Sequence, residues 1–247
     1  MAEAARFRDE AEIGRFNALA REWWDPNGPM KPLHRLNPAR LSFMREEMLS
    51  HFGRAAQAMR PFKGLSLLDI GCGAGLVSEP MARMGFSVSG IDPAEENIAV
   101  ASDHAAKGGL SIHYRATTIE NLPDDELYDV VTLLEVVEHV PDVGAIITEA
   151  AKRLKPGGLL IGSTINRTLK AYGLAIIGAE YVLRWLPRGT HDWDKFVTPE
   201  EFEAQLEAAG LEPAARRGMV FNPLAGTWVL SGDCDVNYFV TARKNAD

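Results

Sequence analysis

The sequence predicts an α/β fold, a mainly parallel sheet with helices on both faces. From Leu65 onward, short apolar runs alternate with segments of helical spacing, the pattern of repeated β-α units. The first of these runs, Leu65–Ile70, leads directly into a glycine-rich turn and a helix. Ligands in such folds bind outside the carboxyl ends of the strands, so we expect the functional site along that edge.

Residues 1–60 are predicted to form an N-terminal helical cap. Ala11–Trp24 has apolar residues near helical spacing, and a proline-rich stretch ends it. A second helix is expected to begin after Asn37, with Pro38 in its first turn. These helices either pack as ordinary structure or cover the ligand cleft as a lid. Residues 61–247 are predicted to form the ligand-binding catalytic domain, with an insertion at residues 166–190.

The alternating part of the chain predicts seven strands and four helices. The predicted strands are Leu65–Ile70, Ser87–Ile91, Ile112–Arg115, Val130–Leu134, Leu159–Ser163, Leu211–Met219 and Val236–Ala242. The first three helices are predicted at Val77–Met84, Glu95–Ala106 and Val143–Leu154. The stretch Lys155–Gly158 is expected to stop the third of them. Thr198 and Glu201 have the spacing of a capping box and predict the start of the fourth.

The turn after the first strand contains the most specific ligand signal. Gly71, Gly73 and Gly75 make a G-x-G-x-G pattern, and Asp92 follows the next apolar run. Glycines let the backbone approach an adenosine ligand, and an acid at Asp92 accepts hydrogen bonds from ribose hydroxyls. Asp69 precedes the turn, where its charge would repel a pyrophosphate but attract an ammonium group. Together these residues predict S-adenosylmethionine, which has an ammonium and a sulfonium and no phosphate.

Composition excludes several classes of protein. The chain has 247 residues, 46% of them hydrophobic, which suits one α/β domain with appendages. A net charge of -8 argues against general nucleic-acid binding, which needs a basic face. Cys72 and Cys234 have neither metal-type nor disulfide-framework spacing, so we expect a reducing cytoplasm. The sequence has no signal-peptide core, and no apolar stretch reaches the roughly 20 residues of a spanning helix.

Several stretches resemble a known family. Four of them are similar to the signature of class I S-adenosylmethionine-dependent methyltransferases: Leu68–Gly75, Gly90–Pro93, Glu120–Pro123 and Leu154–Gly158. Others narrow the resemblance to the ubiquinone biosynthesis O-methyltransferases: Trp23–Pro26 with Leu33–Arg40, then Glu135–Val140, then Asn166–Thr168. The resemblance extends from about Phe16 to Arg243.

The resemblance implies a Rossmann-like fold whose seven-stranded sheet has an antiparallel last strand. It implies O-methylation of catechol-type hydroxyls on polyprenylated intermediates, one a dihydroxybenzoate and one a demethylubiquinol. Another small aromatic or lipid substrate is the alternative. The implied partners are this substrate, an anionic membrane and other enzymes of quinone biosynthesis. The implied location is the cytoplasm, with peripheral contact at the inner face of the cytoplasmic membrane.

The resemblance and the glycine motif together give the cofactor-binding residues. The family implies Arg40, Gly71, Asp92 and Leu134, and the motif adds Asp69 and Gly73. A guanidinium at Arg40 suits the carboxylate at the methionine end, although a surface arginine is the alternative. Many relatives in the wider superfamily have an acid for the adenine amine where this chain has Thr118. The adenine contact is therefore unassigned, with Glu120 or a backbone group as alternatives.

Glu135, Glu138 and His139 follow the fourth strand at the ligand edge and are the candidate catalytic and metal-binding residues. Methyl transfer to a catechol requires an oxygen freed of its proton or bound to a metal ion. Two carboxylates and an imidazole suit Mg²⁺, which prefers oxygen ligands. The spacing alone favours a His139 that packs in the protein and glutamates that are exposed to solvent. The resemblance favours a magnesium site instead. His139 as a general base is the other alternative, since its unperturbed pKa suits that role.

The insertion at residues 166–190 is rich in apolar and aromatic residues, and its basic residues lie towards its two ends. The basic residues are Arg167, Lys170, Arg184 and Arg188, opposed in sequence by Glu180 alone. Such a segment suits an interfacial position on anionic lipid, from which a prenylated substrate would be drawn. A substrate lid packed on the protein's own core is the alternative.

Two other functions compete with a methyltransferase. A nicotinamide-dependent oxidoreductase is disfavoured by the early third glycine, Gly75, and by Asp69. A cofactor-binding module without catalysis is disfavoured by the Glu135, Glu138 and His139 cluster, which simple binding does not need.

Overall fold

The computed structural model describes residues 6–173, 193–222 and 224–246, in which helices and strands alternate along most of the chain. The strands are β1 (Ser66–Ile70), β2 (Ser87–Asp92), β3 (His113–Ala116), β4 (Tyr128–Leu134), β5 (Leu154–Ile165), β6 (Leu211–Asn222), β7 (Thr227–Ser231) and β8 (Asn237–Lys244). The helices are α1 (Glu10–Leu19), α2 (Lys31–His51), α3 (Ser78–Arg83), α4 (Glu95–Lys107), α5 (Val143–Lys152), α6 (Leu169–Ala171) and α7 (Pro199–Ala208).

All eight strands join one sheet in the order β3-β2-β1-β4-β5-β8-β6-β7. Strands β1 to β5 pair with one another in parallel. Strand β8 lies between β5 and β6 and is antiparallel to both. The strand order reverses between β1 and β4, and a crevice for a ligand forms at such a reversal. The predicted α/β Rossmann-like fold, mainly parallel with an antiparallel last strand, is confirmed.

The predicted number of strands is wrong, because the structure has eight and not seven. The additional strand β7 pairs with β6 from Gly218↔Ser231 to Asn222↔Thr227. Asn222 and Gly226 close the turn of this hairpin through a 2.8 Å backbone hydrogen bond. The sequence predicts a loop here because the run is short and forms an edge strand, where one neighbour is absent and the apolar pattern is weak.

Both faces of the sheet are buried, which is why its central strands are nearly continuous apolar runs. Leu67 and Leu68 are consecutive in β1 and enter two different apolar clusters, as alternation along a strand requires. One cluster includes Phe202 of α7 and the other includes Met44 of α2. The helices thereby fix the sheet and the ligand edge of β1, β2 and β4.

Two predicted boundaries are corrected. Helix α2 begins at Lys31 and not after Asn37, so Pro38 lies inside it. The Asn37 side chain donates to the Leu76 carbonyl at 2.9 Å and does not cap a helix. The stretch Lys155–Gly158 belongs to β5, whose pairing with β4 is irregular between Tyr128 and Val130. The predicted capping box of Thr198 and Glu201 is confirmed at the start of α7.

Within the described ranges, no helix combines the length and the apolar character needed to cross a bilayer.

Candidate active site

A cavity of about 270 Å³ lies at the ligand edge, against the ends of β1, β2 and β4. Its floor includes Asp69, Asp92 and Leu134, one from each of these strands. Its other side is formed by residues 7–33, which we call the roof; the roof includes Phe16 and Trp23. Residues of α1 and of the segment before α2 therefore contribute to the lining of the cleft.

At the glycine turn, the backbone itself comes close to the space where a ligand would bind. Gly71 and Gly73 have φ of +67° and +53°, in the left-handed region that glycine adopts at little cost. A Cβ added to Gly73 would lie 2.3 Å from Trp23, and one added to Gly71 would lie 2.5 Å from Val136. A side chain at either position would therefore collide with a residue that lines the cavity.

Asp92 lies at the end of β2 with both carboxylate oxygens oriented by the protein. The Gly73 backbone N–H donates to Oδ2 at 2.9 Å, and the Ala94 backbone N–H donates to Oδ1 at 2.9 Å. Burial raises the pKa of Asp92, and these two hydrogen bonds oppose that rise. Each carboxylate oxygen has two lone pairs. The site thus presents a fixed acceptor, the property that recognition of two ribose hydroxyls requires.

Asp69 is buried at the end of β1 between two hydroxyl groups. Ser78 Oγ donates to Oδ2 at 2.6 Å, and Thr132 Oγ1 donates to Oδ1 at 2.8 Å. Burial raises the pKa of Asp69, and both hydroxyl hydrogen bonds lower it. The carboxylate is therefore held rigidly on the cavity wall, where a cationic ligand group would complement its charge.

Arg40 reaches the same cavity from α2 and is only 5% exposed, so the surface-arginine alternative is excluded. Its Nε and Nη2 atoms are buried without a hydrogen-bond partner among the described residues. Nη2 lies 3.6 Å from Glu135 Oε1, which is an ion pair but too long for a hydrogen bond. Burial lowers the pKa of Arg40, and the charges of Glu135 and Asp69 oppose this. The unsatisfied donors suit an anionic ligand group such as a carboxylate.

Glu135 has a strained backbone. Its φ of 56° makes it the one non-glycine residue of the described chain with a positive φ. Two contacts with β5 hold it: its N–H donates to the Ser163 carbonyl at 2.9 Å, and its Oε1 accepts from Ser163 Oγ at 2.8 Å. Such strain costs free energy and is concentrated at functional sites.

Glu138 is buried next to Glu135, and Thr164 Oγ1 donates to its Oε2 at 2.8 Å. Burial, reinforced by the charge of Glu135, raises the pKa of Glu138 to about 7. Two carboxylates held close together disfavour full ionisation of both.

His139 is in contact with the roof. Its Nδ1 lies 3.1 Å from Glu12 Oε2, and the edge of its ring meets Phe16 at a centroid distance of 5.4 Å. Burial disfavours the charged imidazolium, but the hydrogen bond to Glu12 and the charge of Glu138 outweigh it. The pKa of His139 is therefore raised.

The structure brings nearly all of the predicted site residues to one cavity. They are Arg40, Asp69, Gly71, Asp92, Leu134, Glu135, Glu138 and His139. Gly73 is not in the cavity lining; it orients Asp92 and packs under Trp23. Across residues 6–173, 193–222 and 224–246, no three His, Cys, Asp or Glu side chains are grouped closely enough to hold a metal ion.

Thr118 lines the cavity, and its hydroxyl is already engaged. Thr118 Oγ1 donates to Glu120 Oε1 at 2.7 Å and accepts from Asn121 Nδ2 at 2.9 Å. The lining includes Thr117, Thr118 and Ile119.

Glu12 is not among the site residues predicted from the sequence, and it lies 127 residues before His139. A local signal existed. Glu12, Phe16, Leu19 and Trp23 are spaced as neighbours on one helical face, so Glu12 is an acid in an otherwise apolar stripe. Ser78 and Thr132, which hold Asp69, are not predicted either, because their role depends on tertiary contacts alone.

The predicted insertion at residues 166–190 lies for the most part outside the described residues. The structure describes it as far as residue 173, and Leu169 in that part is 85% exposed. Arg184 and Arg188 are not among the described residues.

Comparison with known proteins gives a consistent result. A methyltransferase-domain family model matches residues 40–215. The ubiquinone biosynthesis O-methyltransferase of Azorhizobium caulinodans is 55% identical over 95% of this chain and 93% of that protein. The protein of the same name from Paramagnetospirillum magneticum is 56% identical over 94% of each chain.

Among solved structures, the fold is similar to that of a magnesium protoporphyrin IX methyltransferase from Synechocystis PCC 6803 with bound SAH. The two chains are 21% identical, the match covers 85% of this chain and 84% of the other, and the TM-score is 0.61. At this identity the likeness concerns the fold.

Proposed function

The chain belongs to the ubiquinone biosynthesis O-methyltransferases, and we propose that it transfers the methyl group of S-adenosylmethionine to a catechol-type hydroxyl of a polyprenylated intermediate. One observation of the site carries the proposal. A single cavity joins groups suited to the two ends of the cofactor with a cluster suited to a catechol. The proposed acceptors are a polyprenyl dihydroxybenzoate and a demethylubiquinol.

We propose that the cofactor spans the cavity from Arg40 to Asp92. The unsatisfied donors of Arg40 would bind the methionine carboxylate, and Asp69 would attract the ammonium. Asp92, already oriented by two backbone N–H groups, would accept from the ribose hydroxyls. Gly71 and Leu134 line the space between them, and Gly73 supports the turn.

The proposed transfer is an in-line displacement at the methyl carbon. The catechol oxygen loses its proton to His139 and forms a bond to the methyl carbon as the carbon–sulfur bond breaks. The sulfur keeps the electron pair and leaves as S-adenosylhomocysteine. The protein must hold the oxygen and carbon about 3 Å apart and aligned. Glu135, next to Arg40 at the junction of the two ligands, would orient the acceptor hydroxyl.

A magnesium ion is proposed from the sequence, but the present arrangement does not fit one. Ser163 and Thr164 engage the two carboxylates, and Glu12 engages the imidazole. Binding an ion to Glu135, Glu138 and His139 would require these contacts to rearrange. The donor types suit Mg²⁺, which when bound would acidify the catechol hydroxyls. No step above depends on it.

Methyl transfer to a short-chain prenylated dihydroxybenzoate tests the proposed function. We expect methyl product and S-adenosylhomocysteine in equal amounts from the full chain, with no reaction when NAD replaces S-adenosylmethionine. The unprenylated dihydroxybenzoate is the matched control for the contribution of the prenyl chain. Thermal stabilisation by NAD but not by S-adenosylhomocysteine would contradict the assignment.

We also propose that residues 166–190 contact anionic lipid. The support is sequence: an apolar, aromatic segment whose basic residues lie towards its ends, in a chain of net charge -8. We expect the protein to float with anionic vesicles at low salt, and to release in high salt and on changing Arg184 and Arg188 to Glu. Absence from anionic vesicles at low salt would leave the lid alternative in place.

We propose that the protein is cytoplasmic and that the chain divides at residue 60 into a cap and a catalytic domain. The location is supported by two free cysteines, Cys72 and Cys234. A cap formed by residues 1–60 is supported by the roof, although Met44 and Met48 of α2 also pack in the core of the sheet. Association with other quinone-biosynthesis enzymes is proposed from the family alone.

A further inference from the structure

Glu12 is a partly buried carboxylate that the mechanism above does not use. It lies on α1, and its side chain is 15% exposed. Its Oε2 lies 3.1 Å from His139 Nδ1, and its Oε1 lies 3.0 Å from an Arg15 guanidinium nitrogen. The carboxylate therefore has a fixed orientation towards the one imidazole of the site.

An ionised carboxylate only accepts hydrogen bonds, so its partner nitrogen must bear the proton. Glu12 also pairs with the Arg15 guanidinium, and this neighbouring cation favours the ionised carboxylate. In a neutral imidazole one ring nitrogen donates and the other accepts. With Nδ1–H donating to Glu12, the free lone pair is on Nε2.

We infer that Glu12 is a positioning residue, which fixes His139 in the tautomer whose Nε2 accepts the proton of the catechol hydroxyl. The edge contact with Phe16 fixes the plane of the same ring. Carboxylates orient histidines in this way in hydrolytic triads and at metal sites. Nε2 is the available atom whether His139 acts as a base or as a ligand. The inference rests on the proposed function, because it concerns the same imidazole.

The alternative role for Glu12 is structural, a link between the roof and the rest of the protein. Three other polar contacts already serve that purpose. Trp24 Nε1 donates to the Ala74 carbonyl at 3.1 Å, and Glu96 N–H donates to Asn17 Oδ1 at 3.1 Å. Lys195 Nζ lies 3.7 Å from Asp9 Oδ2. Loss of Glu12 is therefore expected to change the imidazole more than the attachment of the roof.

The test is a double-mutant cycle in the full-length protein. We expect E12A to lower kcat by roughly 10- to 100-fold, as loss of an orienting carboxylate does elsewhere. Affinity for S-adenosylhomocysteine and Tm should stay near wild type. In an H139N background, E12A should lower kcat no further, because its effect passes through His139. The matched control is E10A, which removes an exposed carboxylate from the same helix.

Two measurements distinguish a failure of this inference from a failure of the proposed function. They are the protonation of the His139 ring and methyl transfer by the wild-type protein. The ¹⁵N NMR signals of the His139 ring, identified by their loss in H139N, should show protonated Nδ1 in wild type and a tautomer mixture in E12A and in the isosteric E12Q. This readout needs no substrate. Wild-type kcat in E12A, an equal loss in the H139N background, or an unchanged tautomer would overturn the inference. Absence of methyl transfer by the wild-type protein would instead reject the proposed function.

Discussion

If Glu135, Glu138 and His139 hold the proposed magnesium ion, excess chelator is expected to abolish methyl transfer by this protein, and added Mg²⁺ is expected to restore it. The reason is the acidity of the acceptor. Without an ion, His139 alone must remove the catechol proton, whereas metal coordination supplies several kcal/mol of charge stabilisation, on the order of 100-fold or more in rate. The assay is turnover of a short-chain prenylated dihydroxybenzoate, with metal content measured in each sample.

Cofactor affinity is the control for this experiment. Calorimetry with S-adenosylhomocysteine should give the same Kd with and without chelator, because the ion would serve the catechol and not the cofactor. Full turnover at a measured metal content of nil would reject magnesium. The hydrogen-bonded arrangement of Glu135, Glu138 and His139 would then be the working state, with His139 as the general base.

Asp92→Ala is expected to weaken cofactor binding by roughly 10- to 150-fold. The variant removes a charged acceptor, which contributes about 1.5–3 kcal/mol in hydrogen bonds to ligand hydroxyls. It also leaves the Gly73 and Ala94 N–H groups without their acceptor, which adds to the loss. Isothermal titration with S-adenosylhomocysteine measures the effect directly.

Asp103→Ala is the matched control, because it removes an exposed carboxylate from α4. Asp92→Asn keeps the shape of the side chain and one acceptor oxygen, so it should lie between wild type and Asp92→Ala. Equal Tm values would separate lost ligand contacts from a loosened turn. Wild-type affinity in Asp92→Ala would show that the ribose contact has been assigned to the wrong residue.

Local patterns were enough to predict most of the fold. The strand that leads into Gly71 and the capping box at Thr198 depend on short-range preferences, and the structure confirms both. Edge strands and helices that contain a proline were harder to predict. A proline usually ends a helix, yet α2 continues through Pro38. Leu36 in the preceding turns is buried, and that burial offsets the lost hydrogen bond.

The candidate site was predictable where its chemistry lies in a contiguous motif. Asp69, Gly71 and Asp92 come from such a motif and line one cavity. The groups that orient them are distant in sequence. Thr132 hydrogen-bonds Asp69 across 63 positions, and Glu12 meets His139 across 127. Pairings of that kind follow from strand order and from the placement of the roof, which no single window of sequence encodes.

Helix α1 covers the cavity, yet none of its residues is fully buried. Its polar contacts with the rest of the protein are those of Glu12 with His139, of Asn17 with the Glu96 N–H and of the N-cap Asp9 with Lys195, and partly exposed contacts of this kind stabilise little individually. Segments with few buried apolar groups open at free energies well below that of global unfolding. The amides of α1 should accordingly exchange with deuterium sooner than those of α2, whose Met44 and Met48 are fully buried. Opening of the ten residues of α1 would then control the entry of S-adenosylmethionine and the release of S-adenosylhomocysteine.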